Sequence, residues 1–369
     1  MHVFDVIVVG GGPAGSSCAW TLGRHGYRVA ILDKATFPRD KVCAGWVTTT
    51  TVQSLALDLD DYRRHRVVQP ISGFKVSLVG QPSVELGYDT PIGYGIVRRE
   101  FDDYLATRSG AEVFGGEPVR TLRHDGGRWL VNDEFAAPML VGAGGHFCPV
   151  ARHINPDVGR EVVVSAQEVE PSASAAIEPG APVRAGIPEL VFHGDLKGYG
   201  WVFHKGPVVN IGLGRIDTQD AAAMTRAFFT TLCERGVARR SFLPRWQGHA
   251  YLLATTSERR VVGDGVMLVG DAAGLAVPAS GEGIGVAVDS GAAAARVVRE
   301  AAGNYSADRL ARYHDELGSR FGFGRSRHRR GRPRASVVAD SLLRLLAPAM
   351  FRSPRLTRRL VIDRTFRHS

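Results

Sequence analysis

The sequence has 369 residues, of which 44% are hydrophobic and 22% are charged, as is ordinary for a folded globular protein. No stretch approaches the ~20 consecutive apolar residues of a membrane-spanning helix, so we expect none. The apolar N-terminus has no basic segment before it, and we expect no signal peptide and a cytoplasmic protein. Four widely spaced cysteines without a C-x-x-C pair predict a reduced protein with no metal site.

The net charge of +9 is concentrated in the C-terminal region. Residues 320–369 contain 14 arginines and two acidic residues, a net +12, which leaves −3 for the rest of the chain. A solvated charged surface is the simplest interpretation. Two alternatives are an anionic membrane surface that delivers a lipid, with the protein peripherally associated, and an acidic carrier protein that delivers a tethered substrate. The sequence does not choose among the three.

A strand, a glycine-rich turn and a helix are predicted at the N-terminus. Residues 3–9, VFDVIVV, form an apolar run typical of a buried strand, and a second strand, RVAILD, ends at Asp33. Between them, Gly10, Gly12 and Gly15 satisfy G-x-G-x-x-G, which allows a tight turn, a close approach to a pyrophosphate and close helix packing. This βαβ unit favours a dinucleotide, with Asp33 placed to accept hydrogen bonds from ribose hydroxyls.

The middle of the chain has the pattern of an antiparallel sheet. Between about residues 161 and 254, short β-type runs are separated by Gly and Pro, with one helical segment, AAAMTRAFFTTLCERG, among them. A buried strand and a second glycine-rich turn, GVMLVGDAAG, come next. A long alanine-rich helix, GEGIGVAVDSGAAAARVVREAA, then follows.

The second glycine-rich turn indicates FAD rather than NAD. Residues 270–287, GDAAGLAVPASGEGIGVA, join a strand-end Asp271 to a second glycine-rich helix start. Together with the first motif, this order resembles the FAD-dependent oxidoreductases of the aromatic-hydroxylase type and, within them, the geranylgeranyl reductase group. The resemblance covers nearly the whole chain. It implies that Asp271 binds the ribityl chain and that the backbone of Gly281, Gly283 and Ile284 faces the isoalloxazine ring.

The resemblance implies an α/β fold in which a Rossmann-like FAD-binding domain is interrupted by an antiparallel β-sheet substrate domain, with C-terminal helices. We predict an FAD-binding domain from 1–60, 96–160 and 256–310, a sheet domain from 61–95 and 161–255, and a basic helical region at 311–369. NAD(P)H or another external donor would supply electrons. The expected cofactor-binding residues are Gly10, Gly12, Pro13, Ala14, Gly15, Asp33, Lys34, Cys43, Ala44, Arg98, Gly142, Ala143, Gly144, Gly270, Asp271, Gly281, Gly283 and Ile284.

Three further segments are similar to this group. VRREFDDYLA resembles its R-x-x-F-D-x-x-L stretch, which implies that Arg98 contacts the FAD. FPRDKVCAGWV resembles P-x-x-K-x-C-G-G, whose cysteine lies near the flavin; this implies the same for Cys43, with Ala44 in place of the first glycine. GYGWVFHKG resembles Y-x-W-x-F-P-K, which lines the substrate cavity, and His204 stands where proline is expected.

Residues 197–206, KGYGWVFHKG, place Tyr199, Trp201, Phe203 and Lys205 at alternate positions, on one face of a strand. Because the resemblance puts this sheet over the flavin, we expect the face to form an aromatic wall for a long or polycyclic substrate. Lys205 is a candidate for holding an anionic end of that substrate. The alternatives are core packing, especially for Phe203, and a solvated Lys205.

One segment departs from the flavin hydroxylases, which have G-A-D-G at the end of the middle strand. Here the chain has VGAGGHFCPVAR, so Gly144 replaces the aspartate, Cys148 stands at the usual serine and Arg152 is displaced by one position. The glycine backbone can still approach a cofactor. The missing carboxylate, which in that family is associated with both FAD and nicotinamide handling, argues against a conventional NADPH-driven hydroxylase.

Reduction of an isolated C=C bond needs a hydride from the flavin and a proton from a positioned acid. The candidate acids are Cys43, Tyr199, His146 and His204, with Cys43 and Tyr199 ranked first because the resemblance places both beside the ring. The alternative for Cys43 is a buried, inert thiol. The alternative for His146 is a structural role. We therefore expect an FAD-dependent reductase of prenyl or similarly apolar double bonds.

Two other functions are alternatives to the reductase. A flavin-dependent monooxygenase or halogenase of a secondary-metabolite pathway, including one that acts on a carrier-tethered substrate, would share the fold. The W-x-W-x-I-P sequence is absent, however, because Tyr199 replaces its first tryptophan. A nucleic-acid-binding module is suggested by RSRHRRGRPR, yet no base-reading fold is recognisable. No nucleic-acid partner is expected.

Overall fold

The computed structural model describes residues 1–158, 161–216, 220–278, 280–324, 347–348 and 350–363. Its strands are β1 His2–Val3, β2 Val6–Val9, β3 Val29–Asp33, β4 Trp46–Thr48, β5 Val68–Ile71, β6 Gly73–Leu78, β7 Val84–Gly87, β8 Gly93–Ile96, β9 Glu112–Gly115, β10 Leu122–Asp125, β11 Arg128–Val131, β12 Phe135–Ala137, β13 Met139–Gly142, β14 Val163–Val169, β15 Glu189–Phe192, β16 Gly198–Lys205, β17 Val208–Arg215, β18 Gln247–Leu252, β19 Val262–Gly263 and β20 Val266–Leu268.

The helices are α1 Pro13–Gly23, α2 Thr49–Ser54, α3 Leu59–Arg63, α4 Arg98–Arg108, α5 Pro149–Ile154, α6 Ala173–Ala176, α7 Ala221–Glu234, α8 Ile284–Ala301, α9 Ala307–Leu310, α10 Arg312–Phe321 and α11 Pro354–Leu356. A 3₁₀ turn covers Gly270–Ala272, and a π turn covers Thr357–Ile362. Among the helices described, none combines the length and the apolar composition that crossing a membrane requires.

A six-stranded sheet carries the first βαβ unit, in the order β19-β20-β13-β2-β3-β9. Its pairs are parallel except β19–β20. The central strands are buried along their whole length, which explains their uninterrupted apolar sequences. Helices α1 and α8 cross in close contact, since a Cβ on Gly291 would lie 2.2 Å from the carbonyl oxygen of Ala14. The predicted Rossmann-like unit is confirmed.

A seven-stranded sheet has the order β18-β14-β17-β16-β15-β6-β7. As expected, it is mainly antiparallel; the exception is β15–β6, which is a parallel pair. One face packs on α7, where a Cβ on Gly200 would meet the ring of Phe228 at 2.6 Å. The opposite face carries Phe74, Trp201 and Phe203 in a separate apolar cluster. Two small sheets, β1-β12-β11-β10 and β4-β8-β5, complete the fold.

The C-terminal residues 347–348 and 350–363 pack against that second face. Ala347, Phe351, Val361 and Ile362 are buried in the same cluster as Trp201. The sequence-based interpretation of this region as a solvated basic surface is therefore incomplete, because its apolar side chains join the core of the substrate sheet. The predicted C-terminal helices are present as α9, α10 and α11.

Candidate active site

Three turns meet at the carboxyl ends of β2, β13 and β20. A Cβ on Gly10, whose φ is +109°, would lie 2.5 Å from the carbonyl oxygen of Ala143, so only glycine fits between these two turns. A Cβ on Gly270 would lie 3.0 Å from the Cβ of Ala14. Crevices outside the carboxyl ends of parallel strands are where α/β proteins bind nucleotides. The structure thus brings together the separate glycine motifs of the sequence.

Gly142 and Gly144, at the carboxyl end of β13, have different neighbours. A Cβ on Gly142 would meet the side chains of Leu268 and Val150 at 2.7 and 2.9 Å, so this residue serves strand packing. Gly144, in contrast, lies beside Gly10, with its Cα 2.8 Å from the Cβ that Gly10 lacks. Its position at the turn crossing agrees with the expected backbone approach, although that role stays a prediction.

The start of α1 is open to a ligand. Its N-cap, Gly12, makes no side-chain cap hydrogen bond, and Pro13 occupies the first turn. A Cβ on Gly12 would have only Arg39 Nη2 within 4 Å, at 3.7 Å, whereas one on Gly15 would collide with the Gly10 carbonyl oxygen at 2.0 Å. Gly15 therefore permits the close turn, and Gly12 leaves free space where helix N–H groups can bind an anion.

Asp33 ends β3 beside this turn. Its carboxylate accepts hydrogen bonds from the backbone N–H groups of Gly11 at 2.8 Å and Ala35 at 3.0 Å. Arg39 Nη2 lies 3.7 Å from the same carboxylate. Lys34, also expected to bind the cofactor, is exposed to solvent. Arg39 was not among the predicted site residues, although it lies in the segment that resembles P-x-x-K-x-C.

Arg98 is held by Asp102 on the next turn of α4. Two parallel bonds of 2.8 Å join Nε and Nη2 to the two carboxylate oxygens, and Arg39 adds a third contact at 3.0 Å. Burial alone would lower the pKa of Arg98, but Asp102 and the neighbouring Cys43 raise it, so the guanidinium stays charged. A fixed cation is thereby placed next to the Cys43 thiol.

Asp271 follows β20 and lies at the start of α8. Its Oδ1 is 3.4 Å from the Cβ position of the α8 N-cap, Gly283, and its Oδ2 is 3.3 Å from Nε2 of His249. The same Nε2 is 3.0 Å from Nζ of Lys41. Burial raises the pKa of Asp271, but the hydrogen bond and charges of His249, Lys41 and Arg98 outweigh it and lower the pKa to about 2.

Lys41 and His249 were not among the site residues predicted from the sequence. A signal existed for Lys41, because it is the lysine of the P-x-x-K-x-C pattern. For His249 there was none, since its position beside Asp271 depends on how β18 pairs with β14.

The loop before α8 rests on two tyrosines of the seven-stranded sheet. Tyr199 donates its hydroxyl to the Ser280 carbonyl oxygen at 2.6 Å, and a Cβ on Gly281 would lie 2.3 Å from Tyr251 Oη. Helix α8 then begins at the buried Ile284 without a side-chain cap. The aromatic face of the sheet is thus in contact with the second glycine-rich helix start.

The segment that carries Cys43 is clamped by the sheet. The Cys43 N–H donates to Glu168 Oε1, the Cys43 carbonyl oxygen accepts from Asn210 Nδ2 at 3.3 Å, and the Ala44 carbonyl oxygen accepts from Lys205 Nζ at 3.0 Å. The thiol itself is half-buried. Glu168 and Asn210 were not predicted. Both lie on the same sheet face as Trp201. Glu168 and Trp201 each pair with Gly212, from the two sides of β17, and Asn210 is two residues before Gly212 on that strand.

Lys205 is not available to a substrate. Only 1% of its side chain is exposed, and Nζ also donates to the Ile96 carbonyl oxygen at 2.9 Å and pairs with Glu170. Gly45 and Gly95 make room for its stem and ammonium group. The prediction that Lys205 holds an anionic end of the substrate is therefore wrong, as is the alternative of a solvated lysine, because all three ammonium protons have partners inside the protein.

The aromatic row is largely part of the core. Trp201 and Phe203 are 7% and 4% exposed, and Trp201 Nε1 donates to Asn210 Oδ1 at 2.7 Å. Phe203 meets the ring of Trp46 edge-on. Tyr199 is more open and packs on Phe192 with the two rings tilted and their centroids 5.1 Å apart. The core alternative stated for Phe203 is correct; contact of Tyr199 and Trp201 with a substrate stays a prediction.

The two histidines that were candidate proton donors, His204 and His146, lie in different parts of the structure. His204 lies on the opposite face of β16 from Trp201, toward α7, so its proposal as a proton donor at the flavin is wrong. His146 Nδ1 is 3.4 Å from Arg259 Nη2, and Arg259 pairs with Glu161. Burial and the Arg259 charge lower the pKa of His146, which leaves its imidazole neutral at pH 7.

These residues fit FAD. Both long helices that start at the crevice, α1 and α8, have glycine N-caps without side-chain caps, and the space at Gly12 is open. Asp271 supplies an ionised acceptor for hydroxyl groups. The described residues contain no cluster of His, Cys, Asp and Glu able to hold a metal ion. Fold and site together define a flavin-dependent oxidoreductase with a Rossmann-like cofactor domain and a sheet domain.

Comparison with known proteins identifies the family. The family model described as FAD binding domain matches residues 3–320, so the chain belongs to that family. It is 31% identical over 326 residues to menaquinone reductase of Mycobacterium tuberculosis, covering 80% of this chain and 76% of the relative. It is 29% identical over 310 residues to geranylgeranyl diphosphate reductase of Rhodobacter capsulatus, covering 76% and 71%.

A solved structure agrees with this assignment at the level of fold. The geranylgeranyl bacteriochlorophyll reductase-like protein of Thermoplasma acidophilum superposes with a TM-score of 0.78 at 21% identity, covering 100% of this chain and 95% of that one. The predicted resemblance, the α/β fold and the FAD cofactor are confirmed. The protein is an FAD-dependent oxidoreductase.

Proposed function

We propose that the protein reduces carbon–carbon double bonds of a prenyl or similarly apolar substrate. The observation that carries the proposal is the contact of Tyr199 and Tyr251 with the loop that starts α8, because it seats an aromatic sheet face beside the cofactor crevice. Apolar chains bind to such surfaces by burial of area and by contact with aromatic rings. Two relatives are named for reductases of menaquinone and of geranylgeranyl diphosphate, which both contain isoprenoid chains.

FAD, when bound, can deliver a hydride to one carbon of the double bond; the other carbon needs a proton. Among the predicted acids, Tyr199 already donates its hydroxyl to Ser280, and burial raises its pKa. Cys43 lies beside Arg98 in a segment held by Glu168 and remains the first candidate. External electrons, from NAD(P)H or another donor, complete the cycle.

The test uses the photoreduced protein without oxygen. Geranylgeranyl diphosphate is added first, because a quinone ring could itself accept the electrons. We expect oxidised flavin absorbance to return and the product to gain two hydrogens per turnover. A fully saturated diterpenyl diphosphate, with the same head group, is the control and should leave the flavin reduced. Absorbance that returns only with oxygen, together with a hydroxylated or halogenated product, would instead establish the monooxygenase or halogenase alternative.

We also propose that the C-terminal segment binds an anionic membrane surface peripherally. Leu356 and Leu360, four residues apart, are 42% and 40% exposed. Around them Arg352, Arg355, Arg358 and Arg359 are exposed to solvent. Exposed leucines among arginines are typical of segments that lie in a lipid interface. The leucines favour a membrane over an acidic carrier, for which charge alone would suffice.

The patch is joined to the substrate sheet. Phe351, on the same segment, is buried and packs on Phe192 with ring centroids 5.2 Å apart, and Phe192 packs on Tyr199. A lipid substrate would therefore have a short path from the interface to the aromatic face. The sequence RSRHRRGRPR at 325–334, which includes Arg325, Arg327, Arg329 and Arg330, lies outside the described residues.

Vesicle sedimentation tests this association. We expect binding to vesicles that contain phosphatidylglycerol, little binding to phosphatidylcholine alone, and loss of binding in Leu356→Asn/Leu360→Asn. Leu243→Asn is the matched control, because Leu243 is 84% exposed but lies beside α7 on the other face of the sheet. Equal sedimentation of the double variant and the wild type would disprove the leucine contact. Binding to an acidic carrier protein but to neither vesicle would favour the carrier instead.

A further inference from the structure

Two titratable groups, Lys41 and Asp271, converge on one ring nitrogen of His249. His249 Nε2 lies 3.0 Å from Lys41 Nζ and 3.3 Å from Asp271 Oδ2. A ring nitrogen has either a proton or a lone pair, so neutral His249 cannot both accept from Lys41 and donate to Asp271. With a lone pair, Nε2 accepts from the Lys41 ammonium; with a proton, it donates to Asp271. The protonation of Nε2 therefore decides which of the two contacts is a hydrogen bond, with the Asp271 carboxylate as the counter-charge.

This cluster lies beside the N-cap of α8 in the cofactor crevice, and its surroundings are unfavourable for additional positive charge. Burial lowers the pKa of Lys41 and of His249, and the nearby cation of Arg98 lowers both further. A second proton is thus disfavoured while no negative charge is added. An added negative charge beside Asp271 would reverse this, because an opposite charge within ~4–6 Å favours the protonated forms. The other titratable and charged groups around the cluster are Arg98, Asp102, Cys43, Tyr251, His146 and Arg259.

We propose that Lys41 and His249 bind one additional proton from solvent when the cofactor gains two electrons, and release it when the cofactor is reoxidised. The electrons come from the external donor, and the proton offsets the negative charge that they bring. A hydride carries two electrons and one proton, whereas saturation of a C=C bond consumes two electrons and two protons. The cluster therefore holds in reserve the proton equivalent that a hydride does not supply, while Cys43 remains the first candidate for passing a proton to the substrate. In this respect the inference rests on the proposed reduction, but its test does not require a substrate.

The experiment measures the midpoint potential of the bound flavin as a function of pH, with a redox dye and no substrate. For a two-electron couple, each proton taken up changes the potential by about 29.6 mV per pH unit. At pH values where the oxidised cluster lacks the second proton, we expect the wild type to take up as much as one proton more than either Lys41→Gln or His249→Gln. The slope should therefore fall by that amount in both variants. Absorbance spectra and melting temperatures would establish that each variant still folds and binds FAD.

His204→Gln is the matched control, because His204 lies on the opposite face of the same sheet and should keep the wild-type slope. Equal slopes in the wild type and in two folded, FAD-loaded variants would overturn the proposal. A second pair, Lys41→Met and His249→Asn, serves if the first variants lose FAD. Failure to reduce prenyl substrates would count against the proposed function alone, since no substrate enters this measurement.

Discussion

Trp201 donates its indole N–H to the side-chain oxygen of Asn210, 2.7 Å away on the neighbouring strand. Asn210 in turn donates its amide nitrogen to the Cys43 carbonyl oxygen at 3.3 Å. The aromatic face and the thiol segment are thus connected through one buried amide. A buried polar group that loses its partner costs about 1–3 kcal/mol. A substitution of Trp201 should therefore also weaken the hydrogen bond that Asn210 donates to Cys43.

Replacing Trp201 by Ala should mainly destabilise the fold. The side chain is 7% exposed and fills space against Gly212, so the free energy of unfolding should fall by about 3–5 kcal/mol. Thermal or urea unfolding with bound FAD is the measurement, and Trp201→Phe, which keeps most of the volume, should lose less. An unchanged melting temperature combined with weaker substrate saturation would show that Trp201 is a cavity wall rather than core.

Gly212→Ala should displace the Trp201 ring. A Cβ at this position would lie 2.4 Å from Cζ2 of Trp201 and 2.7 Å from the Gln167 carbonyl oxygen, so either the ring or the strand must shift. We expect a loss of about 1–3 kcal/mol and a change in tryptophan fluorescence. Gly214→Ala is the matched control, since its Cβ would be 3.5 Å from the same ring. Similar stability for both variants would contradict the packing described here.

Glu168→Gln should change how stability depends on pH. Burial raises the pKa of Glu168 from 4.5 to about 7, against the lowering effects of the Cys43 N–H and Lys205. The folded protein therefore binds this proton more tightly than the unfolded chain does. The free energy of unfolding falls as pH rises from about 4.5 to 7 and stays lower above that range. At roughly 1.4 kcal/mol per pH unit, the loss is about 3 kcal/mol.

The measurement is urea unfolding of the wild type and of Glu168→Gln at several pH values. As pH rises from about 4.5 to 7, the free energy of unfolding of the glutamine variant should increase relative to that of the wild type. Glutamine keeps an acceptor for the Cys43 N–H but has no charge to bury. Glu161→Gln, which removes an acid paired with Arg259, should not reproduce that trend. Parallel curves for the wild type and Glu168→Gln would mean that Glu168 ionises normally.

Asp271→Ala should release FAD. The carboxylate lies beside the N-cap of α8 and is the nearby counter-charge of Lys41, so its loss removes an acceptor and leaves excess positive charge in the crevice. We expect at least a tenfold weaker FAD affinity, measured by fluorescence during reconstitution of the apoprotein. Asp315→Ala, whose side chain is 86% exposed, is the control and should bind FAD normally. A yellow, stable Asp271→Ala protein would refute the assignment of this carboxylate.

The alternation of residues along a strand predicted which side chains share one face of the sheet, without any tertiary information. A period of two places Tyr199, Trp201, Phe203 and Lys205 on one face, and the structure shows them there. The same period already excludes His204 from that face. Alternation says nothing, however, about what covers a face. The fate of Lys205 depends on Ala44, Ile96 and Glu170, which lie 161, 109 and 35 residues away along the chain.

By itself the sequence determined the βαβ unit, the dinucleotide crevice and the order of the two glycine-rich turns. These features follow from local patterns, since buried strands and glycine turns impose their own residue types on a short stretch of chain. Only the tertiary structure decided that His249 meets Lys41 and Asp271 and that Glu168 holds Cys43. Those contacts join residues 22 to 208 positions apart, and strand register and loop packing, which no local pattern specifies, set their distances.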